Sequence, residues 1–146
     1  MRLAQQVGKP VVIHSRSAVA ECLAVMADFL DVPAVFHCFT GTLDEARSVI
    51  ERGYYLGFTG PVTYRKSDEL RWVVKLCPAE QLLVETDAPY LSPEPMRGKF
   101  PNEPAWVMHT AAKVAEVRGV SVEEIDRITT ENCRRLFSWP TSSVND

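Results

Sequence analysis

Long hydrophobic runs are missing from this chain of 146 residues. Stretches such as "PVVI" and "LLV" fall far short of the ~20 apolar residues that a membrane-spanning helix needs, and the N-terminus has no apolar signal-peptide core. Paired cysteines are missing too. Cys22, Cys38, Cys77 and Cys133 are scattered with no C-x-x-C, which fits reduced buried thiols in a cytoplasmic protein better than a disulfide framework or a structural zinc site. A net charge of −3 gives no global basic footprint, so any polyanion needs a local site. Histidine is scarce: His14, His37 and His109 are the whole supply, and no G-x-S-x-G elbow exists. With 46% hydrophobic and 24% charged residues, what remains is one soluble domain of ordinary composition.

Strand-type and helix-type segments alternate along that domain. "PVVIHS" precedes "AVAECLAVMADFL", "AVFHCF" precedes "LDEARSVIER", "YYLGFTG" precedes "SDELRWVVKLC", and "QLLVETD" precedes a Pro-rich loop and "AWVMHTAAKVAEVR". This rhythm predicts an α/β fold with a parallel sheet covered by helices. The opening "MRLAQQVGKP" reads as the last turns of a helix with Leu3, Ala4 and Val7 on one face, so the chain is expected to begin within an element. Thr42 with Glu45, and Ser121 with Glu124, predict capping boxes, and Ser67 predicts a helix start. Ser121 to Phe137 predicts one or two short helices with Ile125, Ile128, Leu136 and Phe137 inward, followed by a fraying polar tail. Pro89 to Pro104 holds five prolines, too many for a helix or central strand, and long loops of this kind are often functional.

In parallel βα architectures ligands bind at the carboxyl ends of strands. His14, His37 and Asp87 are each expected at such an end, on three separate strands. One strand-terminal histidine is ordinarily a hydrogen-bonded loop residue. Two at equivalent ends, plus the aspartate of "ETDAP", point to a metal site, since imidazole and carboxylate on rigid elements suit a divalent ion. Glu85 alternates with Asp87, so both side chains point one way, and a carboxylate there needs a partner. His109 sits in a helical pattern away from these ends, Trp72 and Trp106 read as packing anchors, and Ser15 lacks the surroundings of a nucleophile. Tyr90 and Phe100, in the long loop, are free to touch a ligand. Arg16, Arg65, Lys66, Arg97 and Lys99 lie near the strand ends, where cations suit phosphate oxygens.

The ordered blocks "VVIHSR", "FHCFTG", "GFTGPVTY", "LLVETDAPYL", "RGKFPNEP" and "ENCRRLF" resemble the signature blocks of the TatD-type metal-dependent deoxyribonucleases, within the amidohydrolase-like superfamily of (β/α)8 barrels. The resemblance runs from Lys9 to about Phe137. It implies a TIM-barrel fold and hydrolysis of phosphodiester bonds in DNA, removing nucleotides from an end, with two divalent ions per complete site. His14, His37 and Asp87 are implied as metal ligands, and Asp87 as the group that orients water or takes its proton. Glu85 is implied as support for the ligands, and Arg16, Arg97, Lys99 and Asn102 as contacts on the substrate side.

This chain departs from the family pattern in lacking the H-x-H pair and the bridging glutamate of the earlier strands. Residues 1–140 are therefore expected to form only the last four βα units, a half barrel, with 141–146 as a polar tail. Such a half is expected to expose two sheet edges and an apolar inner face, and to be weakly active or inactive unless it pairs with a second copy or a companion N-terminal half. The alternative is a non-catalytic metal-binding or interaction module derived from such an enzyme. A hydrolase of small esters or amides fits the cationic residues less well.

Overall fold

The computed structural model describes residues 1–139; the tail expected over 141–146 lies outside the described residues. Helix α1, Arg2–Val7, ends on Gly8, whose φ of 61° is the left-handed turn that glycine enters without a Cβ clash. Leu3 and Val7, on one face of it, are exposed. The helix is instead tied down by the Gln5 amide, which donates to Asp31 Oδ1 at 2.8 Å, and by Met1 against the core.

The βα alternation then follows. Strand β1 is Val11–His14, α2 Val19–Met26, β2 Ala34–His37, α3 Leu43–Ile50, β3 Tyr55–Phe58, α4 Asp68–Leu76 and β4 Leu82–Val84. The strands pair in parallel in the order β1-β2-β3-β4. A long loop leads to α5, Val107–Arg118, and α6, Val122–Phe137, a single helix where one or two short ones were expected. No helix among the described residues is long and apolar enough to cross a membrane.

Alternation along each strand sends successive side chains to opposite faces. Ala34, Phe36, Leu56, Phe58 and Leu82 go to the helix-covered face, where they meet Val49, Val73, Val114 and Ile125. Val35, Tyr55 and Leu83 go to the other face. That inner face was expected to lie open, yet these three residues are buried, packed against Leu136 with Cys133 and Phe137 of α6. The last turns of α6 cover it because burying apolar surface is worth roughly 25 cal/mol per Å². Val12, paired with Val35 in register, stays 59% exposed on edge strand β1.

Side chains from neighbouring elements satisfy the carbonyls that helix and strand ends leave over. Arg118 donates to the Val74 and Cys77 carbonyls, Gln81 to those of Ile50 and Tyr54, and buried Asn132 to those of Ala79 and Leu82. The Thr42–Glu45 capping box forms in full. At α6, Ser121 accepts from the Glu124 N–H, but the Glu124 carboxylate turns to Arg127 rather than back to the cap, so half of the expected box is present. Ser67 stands at the start of α4 without a capping hydrogen bond. Trp72, expected as a packing anchor, is 59% exposed, with the Lys75 ammonium 4.9 Å from its ring centroid.

Candidate active site

His14 and His37 are the last residues of β1 and β2 and are direct partners in the parallel register. The sheet therefore delivers both imidazoles to one rim, with ring centroids 6.1 Å apart. Strand β4 stops at Val84, short of the stretch expected to run through Asp87. Glu85 still donates its N–H to the Phe58 carbonyl at 3.0 Å, which holds the backbone extended just long enough to aim its side chain over the inner face.

The Glu85 carboxylate crosses β3 at Gly57. A Cβ built there would fall on Glu85 Oε1 and within 2.7 Å of its Cδ, so glycine is what lets the carboxylate through. Beyond it, Oε1 accepts from the Cys38 N–H at 2.7 Å and lies 2.9 Å from His37 Nδ1. On the other side of the same ring, His37 Nε2 lies 2.9 Å from Asp87 Oδ1. A carboxylate only accepts, so the ring is fully hydrogen-bonded only when both nitrogens carry protons. Burial, the largest single influence, pulls the His37 pKa down, while Glu85 and then Asp87 push it up; the outcome lies above the ordinary value of 6.5. The seat between Nε2 and Asp87 thus calls for positive charge, which a proton or a divalent cation can supply.

The donor set fits such a cation. Neutral imidazole nitrogens and a carboxylate are the donors preferred by zinc and related ions, and a ligating histidine ordinarily gives its other N–H to a carboxylate, the part Glu85 takes. Among the described residues, however, no three His, Cys, Asp or Glu side chains form a ready-made cage. His37 and Asp87 touch, whereas His14 stands beside them rather than closed around a common point.

These residues border an open cavity of about 870 Å³. Arg16 lies on its wall with Ser15, Cys38, Tyr90 and Leu91. The other expected substrate contacts are placed differently. Arg97 stacks its guanidinium 4.2 Å from the Tyr64 ring centroid and approaches Glu94 at 3.8 Å. Lys99 is exposed on the loop. Asn102, expected on the substrate side, is 4% exposed; its amide donates inward to the Tyr90 carbonyl at 2.6 Å, because the folded loop needs that carbonyl satisfied. It braces the loop rather than reaching out of it. His109 sits on α5, as expected. The Cys38 N–H carries no sequence signal, and the glycines of "GFTG" point only to a turn or a close approach to the backbone, not to Glu85 as the group that crosses Gly57.

The sequence profile of the family described as "TatD related DNase" matches residues 1–138. The chain is 42% identical over 137 residues to a Bacillus subtilis protein named "Uncharacterized metal-dependent hydrolase YabD", covering 92% of this chain and 53% of that protein. It is 45% identical over 143 residues to the "3'-5' ssDNA/RNA exonuclease TatD" of Cronobacter sakazakii, covering 94% and 54%. The crystal structure of YJJV, a TatD homolog from Escherichia coli, superposes with a TM-score of 0.87 at 30% identity over 95% of this chain and 54% of that one. The chain spans about half the length of the curated relatives it matches. With a profile match across nearly every residue and a solved relative that superposes over almost the whole chain, this chain belongs to the TatD related DNase family.

Proposed function

We propose that residues 1–140 are the carboxyl-terminal half of a (β/α)8 barrel, and that the rim carrying His14, His37 and Asp87 belongs to a divalent-metal-dependent hydrolase of phosphodiester bonds in DNA, acting from a strand end. The observation that carries this reading is His37 clamped between two carboxylates beside His14. It is supported by the name of the Cronobacter relative, which adds RNA as a substrate, and by the metal dependence in the name of the Bacillus one.

His14, His37 and Asp87 would hold the ion. When bound, a divalent ion polarises a phosphoryl oxygen and lowers the pKa of water. Glu85 keeps the His37 ring oriented through Nδ1, so that Nε2 faces the cavity. Asp87, on the same rim, orients the attacking water or takes its proton. Arg16, on the cavity wall, offers its planar donors to the phosphate, with Arg97 and Lys99 farther out along the loop. The ions number two in a complete site, and the second needs ligands from a companion N-terminal half.

Purified protein incubated with an end-labelled single-stranded oligonucleotide and Mg²⁺, Mn²⁺ or Zn²⁺ is expected to shorten it stepwise, with EDTA abolishing the effect. Absence of both cleavage and calorimetric metal binding would defeat this reading. The half-length span and the open ligand set favour a second one, a non-catalytic metal-binding module. Its mark is metal binding that depends on His37 and Asp87, with cleavage appearing only on addition of a companion half or never.

A further inference from the structure

We propose that Tyr90 and Phe100 form a stacking platform for an unpaired nucleobase of the strand whose phosphate lies at the rim. The proposal rests on the nucleic-acid reading above and adds to it a determinant of strandedness. The two rings are 62% and 74% exposed, their centroids 6.3 Å apart at an interplanar angle of 42°. Tyr90 borders the same cavity as His14, His37 and Asp87, and its own N–H donates to the Asp87 carbonyl at 2.7 Å. A base joined to a phosphate at that rim therefore has an aromatic surface within its reach.

The segment that presents the rings is braced, not loose. Asn102 donates its side-chain amide to the Tyr90 carbonyl and its N–H to the Pro89 carbonyl at 2.9 Å. The Ser92 hydroxyl donates to the Lys99 carbonyl at 2.7 Å, and Tyr64 donates to the Ser92 carbonyl at 3.0 Å. Thr63 accepts from the Glu94 N–H at 2.8 Å. Ser92 and Asn102 are buried and brace the loop from within, while its Tyr90 and Phe100 rings face water side by side. Adjacent exposed rings at the edge of a ligand cavity mark a contact surface. Rings held in place in advance lose little entropy on binding, and every base has a π-face to offer them. Bases in a duplex are already stacked, so the platform selects single strands and frayed ends.

The test is binding of phosphorothioate oligothymidine, which resists cleavage, against an abasic oligonucleotide of the same length and backbone, read by fluorescence anisotropy with the full chain and Mg²⁺. Wild type is expected to favour the base-bearing strand by about 5- to 150-fold, the span of stacking one base. Tyr90→Ala and Phe100→Ala should each cut that preference while leaving abasic binding unchanged, and Phe100→Trp should keep it. Both rings are exposed, so the variants should melt with wild type; if Tyr90→Ala does not fold, the Phe100 pair decides alone. Equal binding of the two strands by wild type, or an unchanged ratio in the alanine variants, overturns the platform and leaves the nucleic-acid reading standing. Binding to neither strand overturns both.

Discussion

Replacing Gly57 by alanine tests the geometry of the rim with a single methyl group. The new Cβ would fall on Glu85 Oε1 and lie 2.7 Å from Cδ, so the carboxylate must leave. It is pinned by the Cys38 N–H at 2.7 Å and faces His37 Nδ1 at 2.9 Å. Hydrogen bonds to charged groups contribute about 1.5–3 kcal/mol each. The Glu85 side chain is 26% exposed, so water replaces part of that loss and the lower end applies, about 2–3 kcal/mol in total. At roughly 2–4 °C per kcal/mol for a domain of this size, the melting temperature should fall by about 4–12 °C. Metal affinity, measured by calorimetry, should fall by about 10- to 100-fold, as for other carboxylates that orient a ligating histidine. The decisive measurement is a double-mutant cycle. With Glu85→Ala already present there is nothing to displace, and Gly57→Ala should be nearly neutral or slightly stabilising, because glycine weakens a strand. If alanine at position 57 costs the same in both backgrounds, the clash is with something other than Glu85 and the account of the rim is wrong.

Three further outcomes follow from the same contacts. Since the folded pKa of His37 is raised above 6.5, its stabilising contribution is fully present below pH 6.5 and lost as pH rises through the folded value. The melting temperature of the EDTA-treated chain should decline across that window, less so in Glu85→Gln, and added Zn²⁺ should restore it at the higher pH; an identical slope in the variant would remove the carboxylates from the explanation. Cys77 is 1% exposed and burial pushes its thiol up to about 12, so Ellman's reagent at pH 8 should leave it unlabelled until the chain unfolds, with labelling in the native state counting against the core described. Thr42→Ala removes the hydroxyl that accepts from the Glu45 N–H and should lower stability by about 1 kcal/mol; no change in denaturant midpoint would show that the Glu45 carboxylate, still bonded to the Thr42 N–H at 2.7 Å, caps the helix unaided.

By itself the sequence determined the alternation of elements, the Thr42–Glu45 cap and the placing of His14 and His37 at strand ends, because each depends on residues close along the chain. Tertiary structure alone decided what lies across from what. Parallel register set His14 beside His37, and the extended backbone just past Val84 let Glu85 cross Gly57 to meet the His37 imidazole from the side opposite Asp87. The packing of α6 covered Val35, Tyr55 and Leu83 on a face expected to be open, the folded loop turned Asn102 inward, and Trp72 was left in solvent. None of these has a local signature: a strand's period says which way a side chain points, but the partner it finds depends on distances between segments that only the assembled sheet and helices fix.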